Sequence, residues 1–414
     1  VLEGGLNVRG LENQGILEAK NGNRLDLVNV IGNLNTATLT GGGSQLSVGG
    51  TNWVNNLGLT AGTDQTLSLS GTWTNTSTIT ATNATVNLGG TFTLSSLGTF
   101  NRTGGVVNLT GTLDNTGTTL ALNATTGSWN LSGTIKNGTL TQAGGAQLLP
   151  MNGTLDGVTV NADLDLTQQN GAWLLIRNSL VLNGSLLLGA ADGSTYGQVY
   201  FGDGNLAHQT LSGNATVVFG GSGSNLIYNQ DGTDGTLTLA PTVLVRGKYG
   251  TLYGDAYGGT SRIINQGTIS ADVLEGGLNV RGLENQSILE AKNGAALTLN
   301  NLVGLNGGIL TARVGSTIAI AGNLTQASAT TINIEIGGTS TTHFGIVTVS
   351  GTANFAGSLN ASFVNGFAPS VGNSFEVITY ASRTGTFTTV TTLNLPGGQA
   401  ITPVYNTTNF TLVD

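Results

Sequence analysis

The sequence VLEGGLNVRGLENQGILEAKNG at residues 1–22 returns at residues 273–294 as VLEGGLNVRGLENQSILEAKNG, with Gly15 replaced by Ser287. The two stretches differ at this one position. Self-similarity over a long stretch indicates a repeat architecture. We therefore expect the chain to begin within one copy of a large repeat and to enter a second copy near Val273.

A shorter period runs inside the large repeat. The tripeptide Gly-Thr-apolar recurs at slightly unequal intervals, with its glycines at Gly71, Gly90, Gly111, Gly133 and Gly153. Between these glycines lie short alternating runs of apolar and β-branched polar residues, such as residues 78–82 and 106–110. Alternation closed by Gly or Asn-Gly predicts strands and turns, and no stretch shows the period of a helix.

A unit of about 20 residues with two or three short strands cannot bury its own apolar face, but stacked units at ~4.8 Å can. The sequence therefore predicts an all-β fold, a parallel β-solenoid (β-helix) over residues 1–338, with one turn of chain, or rung, every ~20 residues. That length corresponds to about 16 rungs and ~75 Å. Glycine fits the corners, and Asn at recurrent turn positions (Asn108, Asn130, Asn137 and Asn152) is expected to adopt left-handed turns or to form ladders.

Two regions depart from this period. Residues 190–262 contain six of the eight tyrosines, and we expect loops or longer rungs there. Residues 339–414 have longer alternating runs and are predicted to form a small C-terminal β-sandwich-like or capping domain.

Composition excludes several classes of protein. The 414 residues include 66 glycines and no cysteine, only 8% are charged, and the net charge is −8. Without cysteine there is neither a disulfide framework nor a Cys-based zinc site. A diffuse acidic balance disfavours nucleic acid as a partner, and no apolar run is long enough for a membrane-spanning helix.

The tyrosine-rich region supplies a candidate ligand site. Flat aromatic rings beside charged side chains are typical of carbohydrate-binding faces. The alternative is that the rings pack the loops of this region. The candidate residues are Tyr249, Tyr253, Tyr257, Arg246 and Asp255.

The duplicated segment supplies a candidate self-association patch. Its two copies carry ten of the chain's charged residues, so a recurring contact that sets the register between neighbouring molecules is one interpretation. Ordinary solvated charges copied by duplication are the other. The candidates are Glu3, Arg9, Glu12, Glu275, Arg281 and Glu284, and the predicted partner is a second copy of this chain, joined head-to-tail or laterally.

No residue pattern predicts catalysis, a metal or a cofactor. Asp163 and Asp165 share one face of a strand, as a pair of glycosidase carboxylates would, but they fit solvent-facing acids better. The acidic stretches at residues 202–205 and 231–235 have too few oxygen ligands for a calcium shell and are expected to be tight turns. We therefore predict that the protein is not an enzyme.

Several segments resemble known surface proteins. Residues 346–359 and 375–387 are similar to the end of autotransporter-type and related bacterial passengers, and residues 13–19 and 265–271 resemble rungs of haemagglutinin-like repeat proteins. The resemblance implies a secreted or cell-surface adhesin or fibre protein. A carbohydrate-binding surface module, and behind it a polysaccharide-degrading enzyme, are the alternatives.

Overall fold

The computed structural model describes residues 5–204, 208–255, 260–395 and 399–414. Glu3 and Tyr257, each a candidate binding residue, lie outside these ranges. The described chain is all-β, and its helices are one α-helical turn, α1 (Leu94–Leu97), and one 3₁₀ turn (Thr341–His343). The predicted all-β fold with almost no helix is confirmed.

The strands are short, most of them three to eleven residues, and are numbered in chain order. The first half of the chain has β1 (Leu6–Arg9), β2 (Ile16–Lys20), β3 (Arg24–Val30), β4 (Thr36–Thr40), β5 (Gln45–Asn55), β6 (Leu59–Ala61), β7 (Thr66–Asn75), β8 (Thr78–Thr82), β9 (Thr85–Leu88), β10 (Thr91–Thr93), β11 (Thr99–Thr103), β12 (Val106–Leu109), β13 (Thr112–Asp114), β14 (Thr119–Leu122), β15 (Trp129–Leu131), β16 (Thr134–Lys136), β17 (Thr139–Gln142), β18 (Leu148–Pro150), β19 (Gly153–Asn161), β20 (Leu164–Leu166), β21 (Ala172–Leu182), β22 (Gly184–Leu188) and β23 (Gly197–Phe201).

The second half has β24 (His208–Ser212), β25 (Ala215–Phe219), β26 (Leu226–Asn229), β27 (Thr236–Leu239), β28 (Leu244–Gly247), β29 (Tyr249–Tyr253), β30 (Arg262–Asn265), β31 (Thr268–Ala271), β32 (Gly277–Asn285), β33 (Ile288–Ala291), β34 (Ala296–Leu305), β35 (Ile309–Ala312), β36 (Thr317–Ala321), β37 (Leu324–Thr325), β38 (Thr331–Ile336), β39 (Ile346–Phe355), β40 (Ser358–Phe363), β41 (Ser374–Gly385), β42 (Thr389–Leu393), β43 (Thr402–Tyr405) and β44 (Asn409–Val413).

The chain divides into two compact units. The first is Val1–Asp165 with Trp173–Gly184, and the second is Leu166–Ala172 with Ser185–Asp414.

In the first unit, strands pair in parallel with the strands one rung later. One series of paired strands runs β1-β3-β5-β7-β9-β12-β15-β18, and a second runs β10-β13-β16-β19. Leu46 pairs with Leu67, and Leu67 pairs with Val86, so apolar positions recur directly above one another. All three side chains are buried, which makes this column part of the core.

The second unit by itself shows the same kind of parallel pairing, with a variable rung length. One series runs β23-β26-β29-β32-β34-β36-β39-β41, and another runs β25-β28-β31-β33-β35-β38-β40-β42, all in parallel. The step along the chain from Gln198 to its partner Leu226 is longer than the step from Asn279 to its partner Thr298. The rungs are thus longer in the region that the sequence marked as irregular.

Glycine forms one corner of the rungs in the first unit. A Cβ atom on Gly71, Gly90, Gly111 or Gly133 would overlap the carbonyl oxygen of the corner glycine one rung earlier. Gly90 also has a φ of +70°, which favours glycine. The Gly-Thr period therefore arises because one backbone lies directly on the next at this corner.

Asparagine takes two structural roles. Asn137 and Asn152 have φ angles of 59° and 70° and lie in left-handed turns, as expected. Asn108 and Asn130 instead lie within β12 and β15, where each Nδ2 donates to the Asn Oδ1 one rung earlier at 2.8 Å, Asn130 to Asn108 and Asn108 to Asn87. These two positions therefore form a ladder and not turns.

Strand pairing does not change at residue 338, where the sequence placed a domain boundary. β39 pairs in parallel with β36, and β40 pairs in parallel with β38. Among the named strands of the described chain, antiparallel pairing starts with β44, which pairs with β41 and β43. Phe410 of β44 is fully buried and packs edge-on against Phe387 and Tyr405, with ring centroids 5.1 and 4.8 Å away.

The duplicated segment keeps the same strand register in both copies. Leu6 pairs with Leu25, and Leu278 pairs with Leu297. Their surroundings differ, because Leu6 is 62% exposed whereas Leu278 is fully buried. β32 has β29 paired on its other edge, and the described residues include no strand before β1.

Candidate functional site

Three tyrosines line up on the outer face of the second unit. Tyr200, Tyr228 and Tyr253 occupy paired positions on β23, β26 and β29, and we call them the tyrosine column. Their ring centroids are 5.7 Å apart between Tyr200 and Tyr228 and 5.3 Å apart between Tyr228 and Tyr253. The column forms because a parallel sheet brings paired side chains to about the spacing of stacked rings.

The next paired position holds a cation. Arg281 pairs with Tyr253 in the strand register, and its guanidinium carbon lies 4.7 Å from the centre of the Tyr253 ring. Asp255 accepts from Arg281 Nε at 3.4 Å and from Asn301 Nδ2 at 3.0 Å. Asp255 therefore holds the guanidinium over the last ring of the column.

The column borders an open groove of about 500 Å³. Its walls include Tyr228, Tyr253 and Arg281, and polar side chains of Thr251, Asn279 and Asn300. Burial raises the pKa of the Tyr200 hydroxyl, with Tyr196 contributing, and that hydroxyl donates to Gln198 at 2.7 Å. The groove thus offers the edges and hydroxyl groups of half-buried tyrosines, a fixed cation and amide groups, a combination suited to apolar contact and hydrogen bonding with a polar ligand.

The structure brings together two of the predicted ligand residues, Tyr253 and Asp255. Arg246 lies on β28, in a different series of strands, and its Nε pairs with Asp272 at 2.8 Å. Tyr249 lies on β29 with Tyr253, but its hydroxyl donates to the carbonyl oxygen of Glu275 at 2.5 Å. Arg246 and Tyr249 are therefore held by other partners, outside the tyrosine column.

Sequence reasoning missed Tyr200 and Tyr228 as members of the site. Their signal was present in the spacing, since Tyr200, Tyr228 and Tyr253 follow one another at two similar intervals. Both intervals exceed the ~20-residue period, so rung pairing could not be inferred from them.

The predicted self-association residues lie in unlike surroundings in the two copies. Glu284 accepts from Arg262 at 2.8 Å and from Asn306 at 3.1 Å. Hydrogen bonds, led by the one from Gln286, lower the pKa of Glu284 against the effect of burial. Glu275 is exposed, as are Arg9 and Glu12 in the first copy. Among the described residues, Arg9, the counterpart of Arg281, donates to Asn7 at 3.4 Å and not to a carboxylate, so the charges have different partners in the two copies.

Asp163 and Asp165 flank the buried Leu164 on β20. Asp163 is exposed and Asp165 is half-buried, so both lie toward the outer face of this strand. The described residues contain no group of three or more His, Cys, Asp or Glu side chains placed to hold a metal ion.

No family model matches the chain, and no curated protein matches it either. Within the described ranges, no helix has the length and apolar character needed to cross a membrane.

Proposed function

We propose that this protein is an extracellular structural protein, a β-solenoid that serves as a stiff spacer in a surface adhesin or fibre. The observation that carries the proposal is the parallel pairing of strands, rung after rung, within each unit. Stacked rungs satisfy their backbone hydrogen bonds through their neighbours and bury a continuous apolar core.

Side-chain chemistry supports a structural role. Polar ladders such as Asn87-Asn108-Asn130 run along the outside of the sheet, where like charges one rung apart would repel. A chain with 8% charged residues and no cysteine avoids both repulsion and uncontrolled disulfide exchange. Export to the cell surface is proposed from the resemblance to bacterial passengers and haemagglutinin-like repeats.

The self-assembly expected from the sequence meets one obstacle. β44 pairs antiparallel with β41 and so covers the edge of that strand. A second molecule joined head-to-tail would have to use another strand edge, such as that of β42 or β43. Self-association therefore remains a secondary part of the proposal.

Negative-stain electron microscopy with limited proteolysis tests the structural role. A β-solenoid spacer predicts elongated, stiff particles and slow proteolysis of the strand segments. Spherical particles, or rapid cleavage within β5 to β19, would contradict the proposal. Sedimentation velocity at increasing protein concentration tests self-association on the same sample, where a constant sedimentation coefficient would argue against it.

A second function, carbohydrate binding, is favoured by the tyrosine column. The ring edges and hydroxyl groups of three tyrosines in register, with the guanidinium of Arg281, form a row that can contact successive sugar rings of a polysaccharide. The groove of about 500 Å³ is large enough for a short oligosaccharide.

A glycan array followed by calorimetry on any positive glycan tests this second function. We expect Tyr228→Ala and Tyr253→Ala to weaken binding about tenfold, which corresponds to ~1.4 kcal/mol. Tyr249→Ala is the matched control, because it removes a tyrosine from the same strand outside the column. Equal binding by all three variants, or no binding by the wild type, would defeat the carbohydrate proposal.

A further inference from the structure

A carboxylate lies completely buried at a turn of the second unit. Asp231 follows β26, and its side chain has no exposed surface. Neither of its carboxylate oxygens makes a hydrogen bond of normal distance and angle. The Gln209 side chain and the Asp203 backbone lie close enough to lower the pKa of Asp231 but leave it raised, so the carboxylate is only partly compensated.

A second buried oxygen, two residues earlier in the chain, also lacks a hydrogen-bond partner. Asn229 is also fully buried, and its Oδ1 has no hydrogen-bond partner. The Nδ2 of Asn229 donates to the carbonyl oxygen of Gly235 at 3.0 Å. Asn229 and Asp231 are both fully buried, with the half-buried Gln230 between them.

Two glycines make room for the carboxylate. A Cβ atom on Gly202 would overlap the Asp231 carboxylate, and a Cβ atom on Gly235 would overlap the Asp231 Cβ. The turn at residues 232–235 is closed by a hydrogen bond from Gly235 N to the carbonyl oxygen of Gly232 at 2.9 Å. The expected tight turn is therefore present, and it encloses the acidic side chain.

We propose that Asp231 and Asn229 bind a divalent cation of the calcium class within this turn. Calcium takes carboxylate, amide and backbone carbonyl oxygens together, so two side chains with nearby carbonyl groups can contribute to its shell. This site needs no cluster of three acidic side chains, and the sequence did not reveal it because burial of the turn is invisible in the sequence.

The local charges favour a cation. Burial raises the pKa of Asp231 to about 6, and Gln209 offsets that rise only in part. The neighbouring charge of Asp203 raises it further, whereas His208 has a small opposite effect. None of the ion pairs in the described chain includes Asp231, so a bound cation would supply the missing positive charge.

Calorimetry and thermal unfolding with Ca²⁺ alone test the proposal. The full chain, stripped with EDTA, is titrated with calcium chloride as wild type and as Asp231→Asn. We expect one Ca²⁺ per chain and a rise in melting temperature for the wild type. We expect at least tenfold weaker binding for Asp231→Asn.

Asp192→Asn is the matched control. Asp192 also precedes a glycine in the second unit, but it is exposed, and its Oδ1 accepts from Ser194 N at 2.9 Å and from Ser194 Oγ at 2.6 Å. Its loss removes the same charge and should leave calcium binding unchanged. If Asp231→Asn fails to fold, Asn229→Ala carries the test and is expected to weaken binding in the same direction.

Three results would overturn the proposal. The first is a wild type that shows neither heat nor a melting shift at millimolar Ca²⁺. The second is equal calcium affinity of the wild type and the foldable site variants. The third is a loss of affinity in Asp192→Asn as large as that in Asp231→Asn, which would indicate a nonspecific charge effect.

Discussion

Substituting Gly90 with alanine should destabilise the first unit far more than an ordinary glycine substitution. Gly90 has a φ of +70°, and a Cβ atom there would overlap the carbonyl oxygen of Gly71. Gly117 has nearly the same φ, +69°, but no described atom lies within 4 Å of its added Cβ. The pair separates backbone strain from the cost of disturbing a stacked rung.

The two costs can be estimated separately. A left-handed conformation costs alanine roughly 1–2 kcal/mol, and this is the whole effect expected for Gly117→Ala. Overpacking against a neighbouring atom adds about 1–3 kcal/mol. The cost for Gly90→Ala should lie near the upper end of that range, because the overlapped atom is a backbone carbonyl oxygen that cannot move freely. We therefore expect a loss of ~3–5 kcal/mol in the unfolding free energy for Gly90→Ala.

Tryptophan fluorescence reports this unit selectively. All four tryptophans, Trp53, Trp73, Trp129 and Trp173, lie in the first unit. Trp73 also stacks on Phe92, two residues from the substituted corner, with ring centroids 4.9 Å apart. For a unit of this size, a change of ~1 kcal/mol shifts the melting temperature by about 2–4 °C. Gly90→Ala should therefore lower it by ~10 °C and Gly117→Ala by ~4 °C.

Equal melting temperatures for the two variants would refute the reasoning. That result would mean that the corner glycines are required for their φ angle alone, and that no carbonyl lies where a Cβ of residue 90 would go. A smaller effect for Gly90→Ala than for Gly117→Ala would be a stronger contradiction.

Three other substitutions test the polar interactions. Asn108→Ala removes both hydrogen bonds of the ladder and should cost about 1–2 kcal/mol in urea unfolding followed by tryptophan fluorescence; a change below ~0.3 kcal/mol would contradict the ladder. With no cation bound, the pKa of Asp231 is raised from its ordinary 3.8 to about 6 in the folded protein. The folded state therefore holds this proton more tightly than the unfolded state. The resulting stabilisation is fully present below about pH 4 and is lost as the pH rises through 6. The wild type should lose ~3 kcal/mol of unfolding free energy between pH 4 and pH 7.5, and Asp231→Asn should not. Chemical unfolding followed by circular dichroism measures this difference, and the same pH profile in both proteins would contradict the prediction. Burial raises the pKa of Glu290, but hydrogen bonds from Lys292, Arg313 and Ser270 outweigh the effect of burial and leave the pKa lowered. The stability of the folded protein should therefore fall as the pH drops below 4.5, the ordinary pKa of a glutamate. Glu290→Gln should cost ~2 kcal/mol at pH 7, less than a fully buried pair because the Arg313 side chain is 43% exposed, and it should flatten the acid side of the melting-temperature profile.

The sequence predicted the all-β content with almost no helix because that content depends on local, repeated chemistry. Alternating apolar residues recur along the chain, and corner glycines recur in the first unit at Gly71, Gly90, Gly111 and Gly133, so strands and these corners could be predicted from the sequence. Asn108 and Asn130 were placed in turns or ladders, and the ladder depends on an identical residue one rung away. Pairing of that kind is visible only when the register is known.

The candidate site was only half predictable. Arg246 and Tyr253 are close in the sequence, but β28 ends at Gly247 and the two side chains join different series of strands. Arg281 was assigned to a self-association patch, and the structure places it on the ring of Tyr253. Long rungs of unequal length, which no local pattern predicts, bring these side chains together.

Engineered disulfides test the central claim, the stacking of successive rungs, most directly. The chain has no native cysteine, so each crosslink has one interpretation. Asn87 and Asn108 are paired in the strand register, whereas Thr85 and Asn108 are two residues out of register. Parallel neighbours ~4.8 Å apart fall within disulfide reach, and a two-residue offset of ~6.6 Å along the strand places the Cα atoms beyond it. We predict rapid oxidation of Asn87→Cys/Asn108→Cys and none of Thr85→Cys/Asn108→Cys; the opposite preference, or equal crosslinking of both pairs, would contradict stacked rungs.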